Sequence, residues 1–127
     1  MCLFKKKNEF EKNTKKYILK VFNFLIENNY EFKYYHFNSE EDFHFIKNDL
    51  TILIGYDSTT LFGSKESLGC GLMIEGLRQN IKNIKGINVP NGIENMIIID
   101  QVNIYANIIK DNLSLIEKVK PDYSWRY

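Results

Sequence analysis

Residues 30–57, YEFKYYHFNSEEDFHFIKNDLTILIGYD, decide the fold. Three short runs dense in aromatic and β-branched residues stand here, at 30–37, 42–47 and 50–56. Asn38-Ser39-Glu40-Glu41 and Asn48-Asp49 separate them, and asparagine and aspartate accept the backbone angles that tight turns demand. Such spacing predicts an antiparallel meander. In the third run Leu50, Ile52, Ile54 and Tyr56 share one face, and Thr51, Leu53 and Gly55 share the other. Leu53 makes that second face only partly polar, which leaves room for cover on both faces near the sheet centre.

Helical periodicity flanks the meander. Over 9–28, Phe10, Tyr17, Val21 and Leu25 recur at helical spacing with Ile18, Phe22 and Ile26, while Lys12, Lys15, Lys16 and Lys20 take the opposite face. Asn28-Asn29 ends this element. Toward the C-terminus Asp100 has the chemistry of an N-cap for a helix over 101–118, with Val102, Tyr105, Ile109, Leu113 and Ile116 as its apolar stripe and Pro121 beyond it. A fourth strand is expected within 68–76, with Gly69, Gly71 and Gly76 marking a bulge or a close backbone approach. Residues 77–95 read as a short helix or irregular loop. The tail DYSWRY carries the only Trp, placed to dock back on the domain. The expected class is α+β: one domain over 1–127, with an antiparallel sheet of about four strands packed by an N-terminal and a C-terminal amphipathic helix.

The totals narrow the functional classes. A chain of 127 residues that is 44% hydrophobic buries a core without staples. Seventeen basic residues balance sixteen acidic ones, so no global field draws it to nucleic acid or membrane. Arg78 and Arg126 are the only arginines, and bidentate phosphate or base recognition favours arginine, so specific nucleic-acid binding is not expected. Cys2 and Cys70 form neither a disulfide framework nor a zinc spacing. The start, MCLFKKKNEF, lacks the charge-then-apolar order of a signal peptide, and no apolar run spans a bilayer. A cytoplasmic protein without a membrane partner is expected.

Five of the seven glycines lie in GYDSTTLFGSKESLGCGLMIEG, residues 55–76. Gly69-Cys70-Gly71 begins like a dinucleotide fingerprint, but Ile74 occupies the third glycine position. A P-loop requires Lys and Ser/Thr after its second glycine, and here Cys70 and Gly71 follow Gly69. Asp57-Ser58-Thr59-Thr60 lacks the second aspartate of aspartyl-phosphate chemistry, and Ser64 and Ser67 bracket Lys65 without an SxxK spacing. Cys70 with His36 or His44 is the one conceivable nucleophile–base pair, with no carboxylate placed to orient the ring. Glu40, Glu41, Asp42, Asp49 and Asp57 cluster at the meander's turns, where Glu40 and Asp57 are expected to approach the same end. No pair specifies metal ligation. No catalytic residue, cofactor or metal site is assigned, and the chain reads as a non-enzyme.

Three stretches, FLIENNYEFKYYHF at 24–37, NDLTILIGYD at 48–57 and DQVNIYANIIKDNLSLIEK at 100–118, resemble in their order the small α+β immunity proteins of bacterial toxin systems. Phage counter-defence proteins, including anti-CRISPR inhibitors, are similar in size and equally poor in motifs. The resemblance implies a cytoplasmic, non-catalytic protein that binds and neutralises one protein target. Tyr30, Tyr34, Tyr35 and Phe37 crowd one strand, so that with one face packed on helices Tyr34 or Tyr35 remains for a partner or for a second copy in a homodimer. Asp57, Glu66 and Glu75 are the acidic groups expected to meet a basic target surface. The alternative is a small-ligand or nucleotide-binding domain that uses the backbone of the glycine-rich segment 55–76.

Overall fold

The fold is described by a computed structural model, which covers residues 13–58 and 66–126. The expected start of the first helix, with Phe10 and Lys12, and the central residues 59–65 of the glycine-rich segment lie outside the described residues. Asn13 opens helix α1, Thr14–Val21, by accepting the Lys16 amide at 2.9 Å, so the first free N–H groups are met by a side chain. The backbone departs from helical angles at Phe22 and resumes as the short α2, Asn23–Glu27. Asn29 then adopts φ 71°, which lets the Tyr30 amide reach back to the Leu25 carbonyl at 3.0 Å and closes the helix. That closure turns the chain directly into the sheet.

Five antiparallel strands follow in chain order: β1, Glu31–Phe37; β2, Glu40–Lys47; β3, Leu50–Asp57; β4, Ser67–Ile74; and β5, Leu77–Asn80. The α+β class and the meander stand as expected, with a fifth strand in place of the expected helix or loop at 77–80. Asn38 and Asn48 take φ 53° and 55° in their two-residue turns, as asparagine readily does. The β4–β5 turn places Glu75 at φ 54° and Gly76 at φ 82°, a left-handed pair that hid the strand because glutamate is not a turn residue of that kind. Pairing of β3 with β4 runs without interruption from Leu50–Ile74 to Asp57–Ser67, so the strand glycines create no bulge.

One face of this sheet is covered. Phe43, Phe45, Ile52, Ile54 and Leu72 are buried there against Ile18, Phe22 and Leu25 of the first helices. Helix α3, Ile98–Asp111, lies over β4 and buries Ile98, Ile99, Val102, Tyr105 and Ile109 in the same core. It starts three residues before the expected position, with Ile97 as a cap that makes no side-chain hydrogen bond. Asp100 instead sits in the first turn, where a carboxylate favours the helix dipole. Gln101, 2% exposed, donates from Nε2 to the Met96 carbonyl at 2.7 Å, so its buried amide is satisfied.

The helical pattern breaks at Asn112 and resumes as α4, Leu113–Ile116. Just beyond it Glu117 accepts from the Tyr30 hydroxyl at 2.7 Å and from the Lys47 ammonium at 3.2 Å, fastening the helical layer to the sheet. The Tyr30 bond holds the Glu117 carboxyl below its ordinary range. Trp125 packs against the core, and Arg126 pairs with Arg78 along the outer edge of β5, so the tail docks as expected.

Candidate functional site

Strand alternation puts Glu31, Lys33, Tyr35 and Phe37 of β1 on the sheet face opposite the helices. Glu40, Asp42 and His44 of β2, Leu53, Gly55 and Asp57 of β3, Gly69 and Gly71 of β4, and Arg78 of β5 share that face. Among the described residues no helix crosses it. Toward the β3–β4 centre of this face Thr51 is buried, at 6% exposed, and Leu53 is half-buried.

Two features shape the open face. The first is an acidic and aromatic corner beside the β1–β2 turn. Glu40 stands directly opposite Asp57 in the β2–β3 ladder, and directly opposite Phe37 in the β1–β2 ladder. Asp42 follows two residues along, opposite Tyr35. Like charges across a ladder are unfavourable, and the Asp57 carboxylate accepts from the Ser39 hydroxyl at 2.7 Å. Tyr35 and Phe37 are 51% and 75% exposed, far beyond the usual state of aromatic strand residues. The corner thus combines apolar surface with concentrated negative charge.

The second feature is a glycine-floored trough of about 610 Å³ beside the corner. Gly55 lies opposite Gly69, and Leu53 opposite Gly71, so three glycines of the rich segment meet on neighbouring strands. Tyr35, Asp42 and His44 line one wall; Arg78 and Asn80 line the other. The glycines differ in what requires them. A Cβ on Gly71 would lie 2.8 Å from the Gln79 carbonyl oxygen, whereas one on Gly69 would meet nothing within 4 Å. One on Gly55 would press the Asp42 carboxylate at 3.3 Å.

The sequence-derived partner residues fall in three places. Tyr35 and Asp57 lie on the open face at the same end of the sheet. Tyr34 faces the helices, its ring tilted against Phe43 with centroids 5.3 Å apart, with Lys15 over its ring at 4.8 Å and its hydroxyl donating to Glu41 at 2.6 Å. Burial and that carboxylate push the Tyr34 hydroxyl up to about 12. Glu66 accepts from the Tyr56 hydroxyl at 2.6 Å, and Glu75 occupies the turn at the far end of the sheet. Glu40 and Asp57 do approach the same end, as their turn positions imply. Phe37, Glu40, Asp42 and Arg78 join the open face through alternation, a signal available once the strand boundaries are known.

Cys70 and His44 stand on opposite faces, and His36 lies three strands away on β1 with its Nε2 3.0 Å from the Asn38 carbonyl. The Cys70 side chain is buried in the core, which pushes its thiol well above the usual range, so the nucleophile–base pair does not form. Among the described residues no group of three or more His, Cys, Asp or Glu side chains is placed to hold a metal ion. No described helix is long and apolar enough to cross a membrane.

His44 packs its ring on Tyr35 with centroids 4.8 Å apart. Burial lowers its pKa and outweighs the opposing pull of Asp42, with Arg78 and Lys33 acting in the same direction as burial. The unfolded chain therefore binds the His44 proton more readily than the folded one. The stability from this site is fully present above the ordinary value of 6.5 and is lost as pH falls through the lower folded value. An imidazole titration followed by NMR is expected to place the His44 midpoint below 6.5, and a midpoint at or above that value contradicts the packing described.

Comparison with known proteins finds no matching family model, no matching curated protein and no matching solved structure.

Proposed function

We propose that the protein is a small cytoplasmic, non-catalytic inhibitor that binds and neutralises a protein target, of the toxin-immunity or phage counter-defence type. The observation that carries this reading is the exposed pair Tyr35 and Phe37 beside the carboxylates of Glu40, Asp42 and Asp57, on a sheet face that no described helix covers. The three carboxylates give the corner a local negative potential. A basic partner surface gains both long-range attraction and neutralisation from them, while the aromatic rings supply the apolar anchor that interfaces concentrate at their centre. The target is accordingly a protein with a basic contact surface, such as an effector that handles nucleic acid. Glu66 and Glu75 lie outside this corner and contribute at most to the general field.

Replacement of Tyr35 by alanine is expected to weaken the complex by about tenfold or more, the scale of an interface anchor. Glu40→Gln with Asp57→Asn is expected mainly to slow association and flatten its salt dependence. Calorimetry and stopped-flow mixing with the target read these separately. Unchanged affinity in both variants, with folding intact, counts against the corner.

A second reading, a small planar ligand held in the trough, draws support from the meeting of Gly55, Gly69 and Gly71 on adjoining strands. Gly69→Ala tests it, because the substitution fills open space without touching the fold. A ligand released on denaturing the wild-type chain, and absent from Gly69→Ala, favours this reading over the first.

A further inference from the structure

The two edges of the sheet are finished differently. Which backbone groups point outward follows from the Ser58 amide, which donates to the Ser39 carbonyl at 3.0 Å and makes Ser39–Ser58 a hydrogen-bonded pair. Antiparallel pairs alternate in their bonding. By the registers of the β1–β2 and β2–β3 ladders, Glu40, Asp42, His44 and Ile46 therefore bond toward β1. On β1 the partners Glu31, Lys33, Tyr35 and Phe37 face inward, so the amides and carbonyls of Phe32, Tyr34 and His36 face out. None of these outward groups has a partner among the described residues, whereas Tyr30 just before them is bonded to Leu25. At the opposite edge Arg78 exchanges backbone bonds with Arg126, and the Asn80 amide is met by the Gln79 side chain at 2.9 Å.

Open edges are ordinarily blunted by shortness, proline, a bulge or charge in the edge. Strand β1 is seven residues long and continuous in register, without proline, and Glu31 and Lys33 are its only acidic or lysine side chains. We infer that β1 pairs antiparallel with β1 of a second copy of this chain, giving a two-fold dimer with one continuous sheet.

The occupant is a second copy because the strand is self-complementary in one register. With Tyr34 on the two-fold axis, Tyr34 pairs with Tyr34 of the partner subunit and Phe32 with His36 of the partner subunit. Each such pair exchanges two bonds, so every outward amide and carbonyl of Phe32, Tyr34 and His36 is used. On the open face Lys33 then stands opposite Tyr35 of the partner subunit, an ammonium beside a ring. An axis on Lys33 sets two ammonium groups against each other, and an axis on Tyr35 throws Phe32 against the Asn38 turn. Phe37 stands opposite Glu31 of the partner subunit in the same register, so the aromatic rings of each corner lie at the seam while Glu40, Asp42 and Asp57 lie on the strands behind it.

Sedimentation of the full chain across the micromolar range tests this, since an interface of one strand edge belongs among the smaller, reversible ones. The wild type is expected to shift from monomer to dimer as concentration rises. His36→Pro removes an outward amide without breaking a bond to β2, which an edge strand tolerates, and is expected to remain monomeric with an unchanged circular dichroism spectrum. Should that variant fail to fold, hydrogen exchange of the wild type decides: protection of the Phe32, Tyr34 and His36 amides must rise with concentration. A wild type that stays monomeric, a dimer that survives in His36→Pro, or exchange at those amides independent of concentration overturns the inference.

Discussion

Phe45→Ala is expected to lower the unfolding free energy by about 3–5 kcal/mol, the range for truncating a fully buried aromatic. The ring is 0% exposed and lies where the helical layer meets the sheet, with centroids 5.7 Å from Phe22 and 5.2 Å from Phe32. Removing it leaves a cavity that Phe22, on the helix side, and Phe32, at the edge strand, cannot both collapse into. A domain of this size has a total stability of only about 5–15 kcal/mol. Chemical denaturation followed by tryptophan fluorescence and circular dichroism gives the difference directly. The matched control is Phe37→Ala, also on the meander but 75% exposed, for which a change within about 0.5 kcal/mol is expected. Similar losses for both substitutions contradict the assignment of the covered and open faces.

Gly71→Ala is expected to cost about 1–3 kcal/mol, because the added methyl group meets a carbonyl of the neighbouring strand and the backbone must yield. The closest approach is 2.8 Å to the Gln79 oxygen. Gly69→Ala, two residues away on the same strand and face, meets no atom within 4 Å. It is expected to leave stability unchanged or raise it by up to about 1 kcal/mol, since alanine restricts the unfolded chain more than glycine does. Thermal melts of the pair separate a glycine required by packing from one that keeps the trough open. Equal destabilisation by both contradicts the register of β4 against β5.

The meander was legible because its signals are local. Alternating aromatic residues and two asparagine turns define three strands, and the helical stripes from Tyr17 to Leu25 and from Val102 to Ile116 supply a covering layer. Strand β5 has no local signature because Leu77–Asn80 owes its conformation to pairing with β4 and to the Glu75–Gly76 turn, whose left-handed glutamate no local preference announces. The start of α3 was displaced because Asp100 has a capping side chain, while burial of Ile98 and Ile99 fixes the true start. Tyr35 and Asp57, singled out by their chemistry, lie on the same open face at the same end of the sheet. Tyr34 and Tyr35 are indistinguishable by composition, and only the order of packing shows that one faces helices and the other solvent. The joining of Gly55 to Gly69 is a property of register across a connection whose central residues 59–65 are not described, and it has no signature in either stretch alone.

The proposed function places recognition of a basic protein at the open-face corner. Its most direct test is affinity capture from host lysate at moderate salt, run in parallel with the wild type, with Glu75→Ala, and with a Tyr35→Ala, Glu40→Gln, Asp57→Asn variant whose fold is confirmed by circular dichroism. One stoichiometric protein with a basic surface is expected, bound equally by the wild type and Glu75→Ala and lost from the corner variant. Capture that survives the corner substitutions, or no stoichiometric protein from any bait, contradicts it.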